Sequence, residues 1–294
     1  MSKKIYIFLF VLFFIFIAPI IRADEALRII SLAPAITEII FALEGGDMLV
    51  GVTSYCDYPP QAQEKEKVGG FINPNIEKIV SLSPDLVILS PNSGTKKVQE
   101  HLNYLDIDNC VVRFYTIQGL FEAYEVIGKR IGREAQGKML YTELENTIQN
   151  IKQKFTEQMR PNVLFVRSHH PLYVAGENTY EDDVIFICGG INSIRGSGMR
   201  YPQYTVEGIV SLNPEIIVDA TFYKTPNENQ IKEIKNFWSP LQNISAVKNN
   251  NVYIIKTDIH SVPGPRTPKF LKIMASIIHP EVFGKEEQYS ERIK

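Results

Sequence analysis

A pattern of thirteen residues occurs twice in the chain, and it restricts the possible folds more than any other feature. Residues 76–88 read IEKIVSLSPDLVI, and residues 206–218 read VEGIVSLNPEIIV. In each copy a helically spaced segment ends at a proline, and a short apolar run typical of a buried parallel strand follows. The offset of 130 residues is too long for a stacked-repeat protein, whose period would be about 20–50 residues. The pattern therefore predicts two lobes built alike.

Further apolar runs place each copy of the repeat inside an α/β lobe. A helix is expected from Ala33 through Ala42, directly after the first of these runs. The runs predicted to form strands are residues 28–32, 50–52, 111–112, 162–166 and 252–255. Strands that alternate with helices favour parallel sheets. We therefore predict fold class α/β, with two Rossmann-like lobes, mostly parallel sheets and a cleft between the lobes.

A long amphipathic stretch separates the two predicted lobes. Its apolar residues recur at helical spacing and are Met139, Leu140, Leu144, Ile148, Ile151 and Phe155. The spacing predicts one helix of about 25 residues, from about Arg133 to Met159, which would span about 38 Å. Such a helix is stiffer than a loop, so we expect little closure of the lobes. The predicted boundaries are a first lobe at 24–132, a linking helix at 133–160 and a second lobe at 161–294.

The first 23 residues have the features of a secretory signal peptide. Lys3 and Lys4 precede an unbroken apolar run at 5–17, and Ala23 supplies a small residue at a cleavage site. The alternative is a retained membrane anchor, because the apolar stretch up to Ile21 is just long enough to span. The first cysteine is Cys56, which argues against a lipid-anchored protein. The pattern predicts cleavage after Ala23 and export to the periplasm.

Composition and motifs exclude several classes of function. The chain is 45% hydrophobic and 22% charged, which indicates a globular protein. A net charge of −2 gives no basic surface for nucleic acid. The sequence contains no nucleophile elbow, phosphate-binding glycine loop, HExxH motif or dinucleotide fingerprint. We therefore expect a protein that is not an enzyme and has no metal or cofactor of its own.

Several segments, in the same order along the chain, resemble a known family. They are GVTSYCDYPPQAQ at 51–63 and shorter stretches at 75–80, 84–88, 188–192, 201–203 and 264–266. From about Arg28 to Ile278, the chain is similar to cobalamin-binding members of the periplasmic family for iron-siderophores, haem and vitamin B12. The resemblance implies two lobes joined by a rigid helix, as in class III substrate-binding proteins. It also implies a partner, the inner-membrane ABC permease dimer with its ATPase, and we expect a monomer.

The resemblance also implies a ligand site in the cleft. Tyr55, Phe71 and Tyr201 match pocket positions where aromatic faces would contact a large planar ligand. Asp258 and Arg266 match polar ligand contacts of the family. The implied ligand is cobalamin or another corrinoid, and the alternative is haem or a ferric siderophore. A further alternative, from another class, is a lobe pair reused as a sensor or an enzyme subunit.

Two glutamates of the internal repeat are implied to dock the permease. Glu77 and Glu207 hold equivalent positions in the two copies, although Lys78 has become Gly208 beside the second. By resemblance they match the surface glutamates, one on each lobe, that meet arginines of the permease dimer. A simpler interpretation is that each carboxylate stabilises the start of its helix.

The chain departs from the family pattern at several positions. Ser90 and Arg167 stand where the resemblance implies aromatic residues, and His169 and His170 form a pair that it does not imply. Folding could gather His169, His260 and Asp258 into a zinc or manganese site, or bring a histidine to a ligand's cobalt or iron.

The cysteines depart from the family pattern as well. The family disulfide that involves Cys188 has no partner here, because residues 271–276 contain no cysteine. We therefore interpret Cys188 as a buried thiol. A bridge between Cys56 and Cys110 stays open, although no sequence feature supports it.

Overall fold

A computed structural model of the protein describes residues 27–92, 94–155, 160–284 and 288–293. The predicted signal segment and its cleavage site lie outside the described residues. Within those ranges, every helix is too short or too polar to cross a membrane.

The first lobe is a parallel four-stranded sheet in the order β2-β1-β3-β4. Its strands are β1 (Ile29–Ser31), β2 (Leu49–Val52), β3 (Leu86–Leu89) and β4 (Asn109–Val111). Every residue of β1 and β3 is buried, as expected for a sheet covered on both faces. The covering helices are α1 (Pro34–Ala42), α2 (Ile76–Ser81) and α3 (Thr95–Tyr104), with 3₁₀ turns at Gly46–Met48 and Pro60–Glu64.

Two helices lead from the first lobe to the second. They are α4 (Ile117–Arg130) and α5 (Glu134–Lys152). They pack closely at Gly137, where a Cβ atom would lie 2.8 Å from the carbonyl oxygen of Tyr124. The prediction of one helix from Arg133 to Met159 was wrong in length, because α5 begins at Glu134 and ends at Lys152. Phe155 continues the apolar spacing, but it lies beyond the helix and stacks on His279 at 5.4 Å.

The second lobe is a six-stranded mixed sheet in the order β10-β9-β8-β5-β6, with β7 also paired to β5. Its strands are β5 (Asn162–His169), β6 (Leu172–Val174), β7 (Ile191–Asn192), β8 (Ile216–Asp219), β9 (Val252–Ile255) and β10 (Ser290–Arg292). Its helices are α6 (Tyr180–Ile187), α7 (Val206–Leu212), α8 (Glu228–Trp238), α9 (Ser245–Lys248), α10 (Thr267–Ile278) and α11 (Pro280–Phe283), with a 3₁₀ turn at Asp258–Ser261.

The internal repeat marks equivalent positions in the two sheets. Its helices are α2 and α7, and its strands are β3 and β8, as the pattern predicts. β3 lies between β1 and β4, and β8 lies between β5 and β9. Leu86 pairs with Ile29, and its counterpart Ile216 pairs with Val163. The four parallel strands of each lobe, β2-β1-β3-β4 and β7-β5-β8-β9, therefore share one order, which confirms the predicted α/β fold with two similar lobes.

A continuous apolar core joins the lobes beneath the cleft. One cluster of buried residues includes Ile29 and Ile36 of the first lobe together with Phe165 and Phe270 of the second. The α5 helix contacts both α4 and α10. The Tyr124 hydroxyl of α4 also donates to the Gly264 carbonyl at 3.0 Å. These contacts fix the lobes to each other along the floor of the cleft.

Candidate functional site

A cavity of about 540 Å³ lies between the lobes. Its wall comes from segments that follow β1, β2, β3 and β4, together with segments that follow β8 and β9. In α/β proteins ligands bind outside the carboxyl ends of the parallel strands, which is where this cavity lies. The lining residues are Ala33, Pro34, Ala35, Tyr55, Gly70, Phe71, Ile72, Asn73, Ser90, Phe114, Tyr223, Ser261, Val262 and Pro263.

Four aromatic side chains contribute to this wall. Tyr55 and Phe71 were expected at the site and lie in the wall, and contact of either with a ligand stays a prediction. Phe114 and Tyr223 were missed. Each follows a strand of its lobe, β4 or β8, so the rule for parallel sheets could have identified them. Tyr55 and Tyr223 are 58% and 47% exposed, which leaves their rings accessible from the cleft.

The wall carries no formal charge. None of the described residues that line the cavity is an aspartate, glutamate, lysine, arginine or histidine. Its polar groups are the hydroxyls of Tyr55, Ser90, Tyr223 and Ser261 and the amide of Asn73. The cavity can therefore offer apolar contact and neutral hydrogen bonds, but it cannot neutralise an anionic ligand by itself.

Tyr201, the third predicted aromatic residue, is not part of the cavity wall. Its hydroxyl donates to the buried carboxylate of Glu181 at 3.1 Å. Burial, together with the nearby charge of Glu181, raises the pKa of Tyr201. Glu181 also pairs with Arg167, whose Nη1 atom lies 3.2 Å away. Tyr201 therefore belongs to a polar cluster of the second lobe, and its contact with a ligand stays a prediction.

Arg266 and Asp258 belong to an ion cluster that bridges the lobes. The Arg266 guanidinium donates to both carboxylate oxygens of Glu38 in α1, at 2.8 and 2.5 Å. It also donates to both oxygens of Asp258, at 2.9 and 3.0 Å. Its outer face lies 4.2 Å from the centre of the Tyr58 ring. This pairing occupies most of the donors of Arg266 within the protein.

Glu38 was missed by the sequence analysis, although it anchors this cluster. Burial raises its pKa to about 7, against the opposing effect of Arg266. Arg266 lines a second, more polar depression of about 630 Å³, with Glu38, Glu44 and Asp47. The structure therefore brings the predicted pair Asp258 and Arg266 together, but outside the wall of the aromatic cavity.

The histidines do not gather as one alternative suggested. His169 Nε2 lies 2.6 Å from Asp219 inside the second lobe, and the ring stacks on Phe237 at 4.0 Å. His260 is held through its Nδ1 atom, 2.6 Å from the Thr257 carbonyl. Across the described ranges, no group of three or more His, Cys, Asp or Glu side chains is arranged to hold a metal ion. The suggested metal site is therefore not formed.

The three cysteines are unpaired. Cys188 is buried, as expected, and burial raises its pKa. The possible bridge between Cys56 and Cys110 is not formed. The Cys56 thiol instead contacts the hydroxyls of Thr37 and Thr53 at 3.2 and 3.1 Å.

Glu77 and Glu207 occupy the same position in their helices, and both are exposed. Each follows the first helical residue of α2 or α7. The helices are capped by Asn75 and Thr205, whose side chains accept hydrogen bonds from the backbone amides of Lys78 and Gly208, the third residue of each helix. Neither glutamate lines the cavity. The structure therefore presents two equivalent carboxylates to solvent, one on each lobe.

Comparison with known proteins identifies the family. A family of periplasmic binding proteins matches residues 29–259. The chain belongs to the periplasmic binding protein family. A vitamin B12-binding protein of Vibrio cholerae is 30% identical over 257 residues, which cover 86% of this chain and 90% of that protein. An ABC transporter substrate-binding lipoprotein of Bacillus subtilis is 30% identical over 266 residues, which cover 88% of this chain and 82% of that protein.

Solved structures of the periplasmic binding protein family show the same two-lobe fold. The crystal structure of the periplasmic vitamin B12-binding protein of Vibrio cholerae matches with a TM-score of 0.74 and 28% identity, covering 85% of this chain and 96% of that chain. The crystal structure of a periplasmic haem-binding protein of Pseudomonas aeruginosa matches with a TM-score of 0.77, covering 91% of this chain and 98% of that chain. At 20% identity the second likeness shows the fold alone. The family role is that of the substrate-binding component of an ABC importer.

Proposed function

We propose that this protein captures a corrinoid, such as cobalamin or cobinamide, in the aromatic cavity between its lobes. The observation that supports this most directly is the uncharged cavity wall. A corrin ring is large and flat, and its rim carries methyl groups and neutral amides. The rings of Tyr55, Phe71, Phe114 and Tyr223 suit such a ligand because aromatic faces give wide contact with little entropy to lose. The similarity to a vitamin B12-binding protein supports the same ligand class.

Haem is the second candidate, because two phenols lie in the same wall. Tyr55 is the more exposed of the two, and a phenolate oxygen can ligate ferric iron. Haem, however, carries two carboxylates, and ferric siderophores are commonly anionic. The wall has no cation to receive them, while Arg266 is already paired with Glu38 and Asp258. The charges therefore favour the neutral ligand.

Parallel titrations test the choice of ligand. Purified protein is titrated calorimetrically with cyanocobalamin, dicyanocobinamide, hemin and a ferric siderophore, and visible spectra are recorded for each mixture. We expect saturable binding of the corrinoids and much weaker binding of hemin and the siderophore. Tight binding of hemin with a shifted Soret band, without corrinoid binding, contradicts the proposal.

Delivery requires export and a membrane partner. We place the mature protein in the periplasm after cleavage behind Ala23, and intact-mass measurement of the secreted protein tests that position. Glu77 and Glu207 are the proposed docking residues, since two like charges on equivalent lobes suit a two-fold permease. Charge pairs of this kind set register and association rate more than affinity.

A double substitution tests the docking role. We expect Glu77→Arg with Glu207→Arg to abolish ligand-stimulated transport in vesicles that contain the permease and its ATPase. Binding of ligand in solution should stay unchanged, because neither residue lines the cavity. The control is Glu145→Arg, on the exposed face of α5. Normal transport by the double variant, or loss of ligand binding, contradicts the docking role.

A further inference from the structure

Three buried polar atoms toward one edge of the second lobe's sheet lack hydrogen-bond partners. They are Nη1 of Arg167, Oγ1 of Thr221 and Nε2 of His260, each unpartnered among the described residues. Arg167 Nη1 lies 3.2 Å from a Glu181 oxygen, but the contact is an ion pair without hydrogen-bond geometry. Buried polar groups in proteins are nearly always satisfied, so three such atoms in one region indicate a missing partner.

The three residues lie on neighbouring strands and loops toward the carboxyl edge of the sheet. Arg167 lies within β5, directly after Val166, whose carbonyl accepts from the Ala220 amide at 2.9 Å. Thr221 follows Ala220, just beyond the end of β8. His260 lies in the 3₁₀ turn Asp258–Ser261 that follows β9, the next strand along the sheet. The charge of Arg167 is close enough to His260 to lower its pKa.

Along the chain, this edge adjoins the cavity wall. Tyr223 and Ser261 line the cavity, and they are two residues and one residue away from Thr221 and His260. Ser193 offers a contrast, because its Oγ atom is also buried without a partner. Ser193, however, follows β7, beside the start of β5, at the opposite edge of the same sheet.

The chemistry of His260 limits what the missing partner can be. Its Nδ1 atom lies 2.6 Å from the Thr257 carbonyl, so Nδ1–H is the donor and Nε2 is left with a lone pair. Burial and the charge of Arg167 together lower the pKa of His260 to about 4, against the opposing effects of the Thr257 and Ala220 carbonyls and of Asp258. At neutral pH the ring is therefore a hydrogen-bond acceptor beside the donor of Arg167.

We propose that Arg167, Thr221 and His260 form a polar subsite that receives one primary amide of the ligand. The amide carbonyl accepts from Arg167, and the amide N–H donates to His260 Nε2, with the Thr221 hydroxyl completing the site. A carboxylate is disfavoured there, because its oxygens would face the His260 lone pair and Arg167 is already paired with Glu181. Tyr223, two residues from Thr221, is half exposed in the cavity wall.

The subsite rests on the proposed corrinoid function, and one set of titrations tests both. Cyanocobalamin and its monocarboxylic acids, each with one side-chain amide hydrolysed, are titrated into wild-type protein and folded variants. The variants are His260→Leu, Thr221→Val, His260→Gln, which restores an acceptor, and the control Ser193→Ala. We expect wild-type protein to bind one of the acids about tenfold more weakly than cyanocobalamin.

The variants should separate the subsite from a structural effect. We expect His260→Leu to weaken binding of cyanocobalamin about tenfold and to lose the discrimination against that acid. Thr221→Val should weaken binding less, while His260→Gln and Ser193→Ala should bind nearly as wild-type protein does. If His260→Leu does not fold, Thr221→Val and His260→Gln decide the question.

The outcomes that contradict the subsite are distinct from those that contradict the ligand. Tight corrinoid binding that is unchanged in His260→Leu and Thr221→Val overturns the subsite, which then holds only water, and leaves the corrinoid proposal standing. The same conclusion follows if all the acids bind as tightly as cyanocobalamin. No binding of any corrinoid by wild-type protein overturns both proposals.

Discussion

The two lobes share a strand order and an internal repeat, yet they present different chemistry to the cleft. The first lobe supplies most of the aromatic cavity wall, including Tyr55, Phe71 and Phe114. The second lobe presents charged side chains that are already paired, Arg167 with Glu181 and Arg266 with Asp258. The repeated helices and strands determine the architecture of each lobe, whereas the loops after the strands supply the side chains that face the cleft. A two-fold scaffold can therefore hold a ligand whose faces and rim differ.

The strongest test of this contrast removes the charge at the centre of the inter-lobe cluster. Arg266→Met leaves the buried Glu38 carboxylate without its cation. We expect the free energy of unfolding at pH 8 to fall by about 3–5 kcal/mol, the usual effect of breaking a buried ion pair. Urea denaturation followed by circular dichroism measures it.

A second variant shows whether the loss of stability in Arg266→Met comes from the unpaired charge or from lost packing. Arg266→Met combined with Glu38→Leu removes both buried charges and should recover much of the lost stability. If Arg266→Met is as stable as wild-type protein, Arg266 does not stabilise the second lobe against the first. Its expected role as a ligand contact would then become the stronger interpretation.

The pH dependence of stability gives the next largest effect. The pKa of Glu38 is about 7 in the folded protein, above its ordinary value of 4.5. A raised carboxyl pKa means that the folded state binds the proton more tightly than the unfolded chain does. Its stabilising contribution is therefore complete below about pH 4.5 and is lost as the pH rises through 7, by up to about 3 kcal/mol.

The variant Glu38→Gln isolates this contribution, because glutamine does not titrate. We expect its free energy of unfolding to change less than that of wild-type protein between pH 4.5 and 8, with the difference growing as the pH rises. The matched control is Glu44→Gln, an exposed carboxylate in the same depression. Parallel pH profiles for wild-type protein and Glu38→Gln contradict the assignment.

The aromatic wall gives a smaller effect that bears on ligand binding. Phe71→Ala and Phe114→Ala should each weaken corrinoid binding by about 1–3 kcal/mol, as expected for a buried aromatic contact. Tyr201→Ala should weaken it less, because Tyr201 contacts Glu181 outside the cavity wall. Calorimetry measures the dissociation constant of each variant. The control is Tyr104→Ala, because Tyr104 is 89% exposed on α3. If Tyr201→Ala has the largest effect, the second lobe contributes the stacking surface instead.

The sequence was sufficient to predict the two-lobe α/β architecture, because periodic apolar patterns determine it. The strand Val252–Ile255 has the predicted bounds. The α5 helix was predicted too long, since Phe155 has helical spacing but packs against His279 outside the helix. Local patterns do not reveal such a tertiary contact.

The site was only partly predictable for the same reason. Tyr55 and Phe71 stand in motifs that can be matched by resemblance, and both line the cavity. Phe114 and Tyr223 carry no motif, and only the strand order brings them to the same wall. Glu38 meets Arg266 across 228 residues of sequence. No spacing rule predicts that pair, because the contact exists only after the lobes have docked.

The smallest expected effect concerns the distance between the two lobes. Lys224 and Asp57 form an exposed ion pair across the cleft, 2.9 Å apart, beside the cavity residues Tyr223 and Tyr55. Exposed pairs contribute about 0–1 kcal/mol, so this one is too weak to hold the lobes together. The shared core beneath the cleft and the Tyr124 contact to Gly264 are buried and do not depend on it.

Lys224→Ala should therefore change stability by less than about 1 kcal/mol, and it should not open the cleft. Small-angle scattering should give nearly the same radius of gyration for wild-type protein, for this variant, and for each with bound ligand. A compaction of several ångströms on binding, or expansion of the variant, would mean that surface contacts and not the shared core set the lobe arrangement.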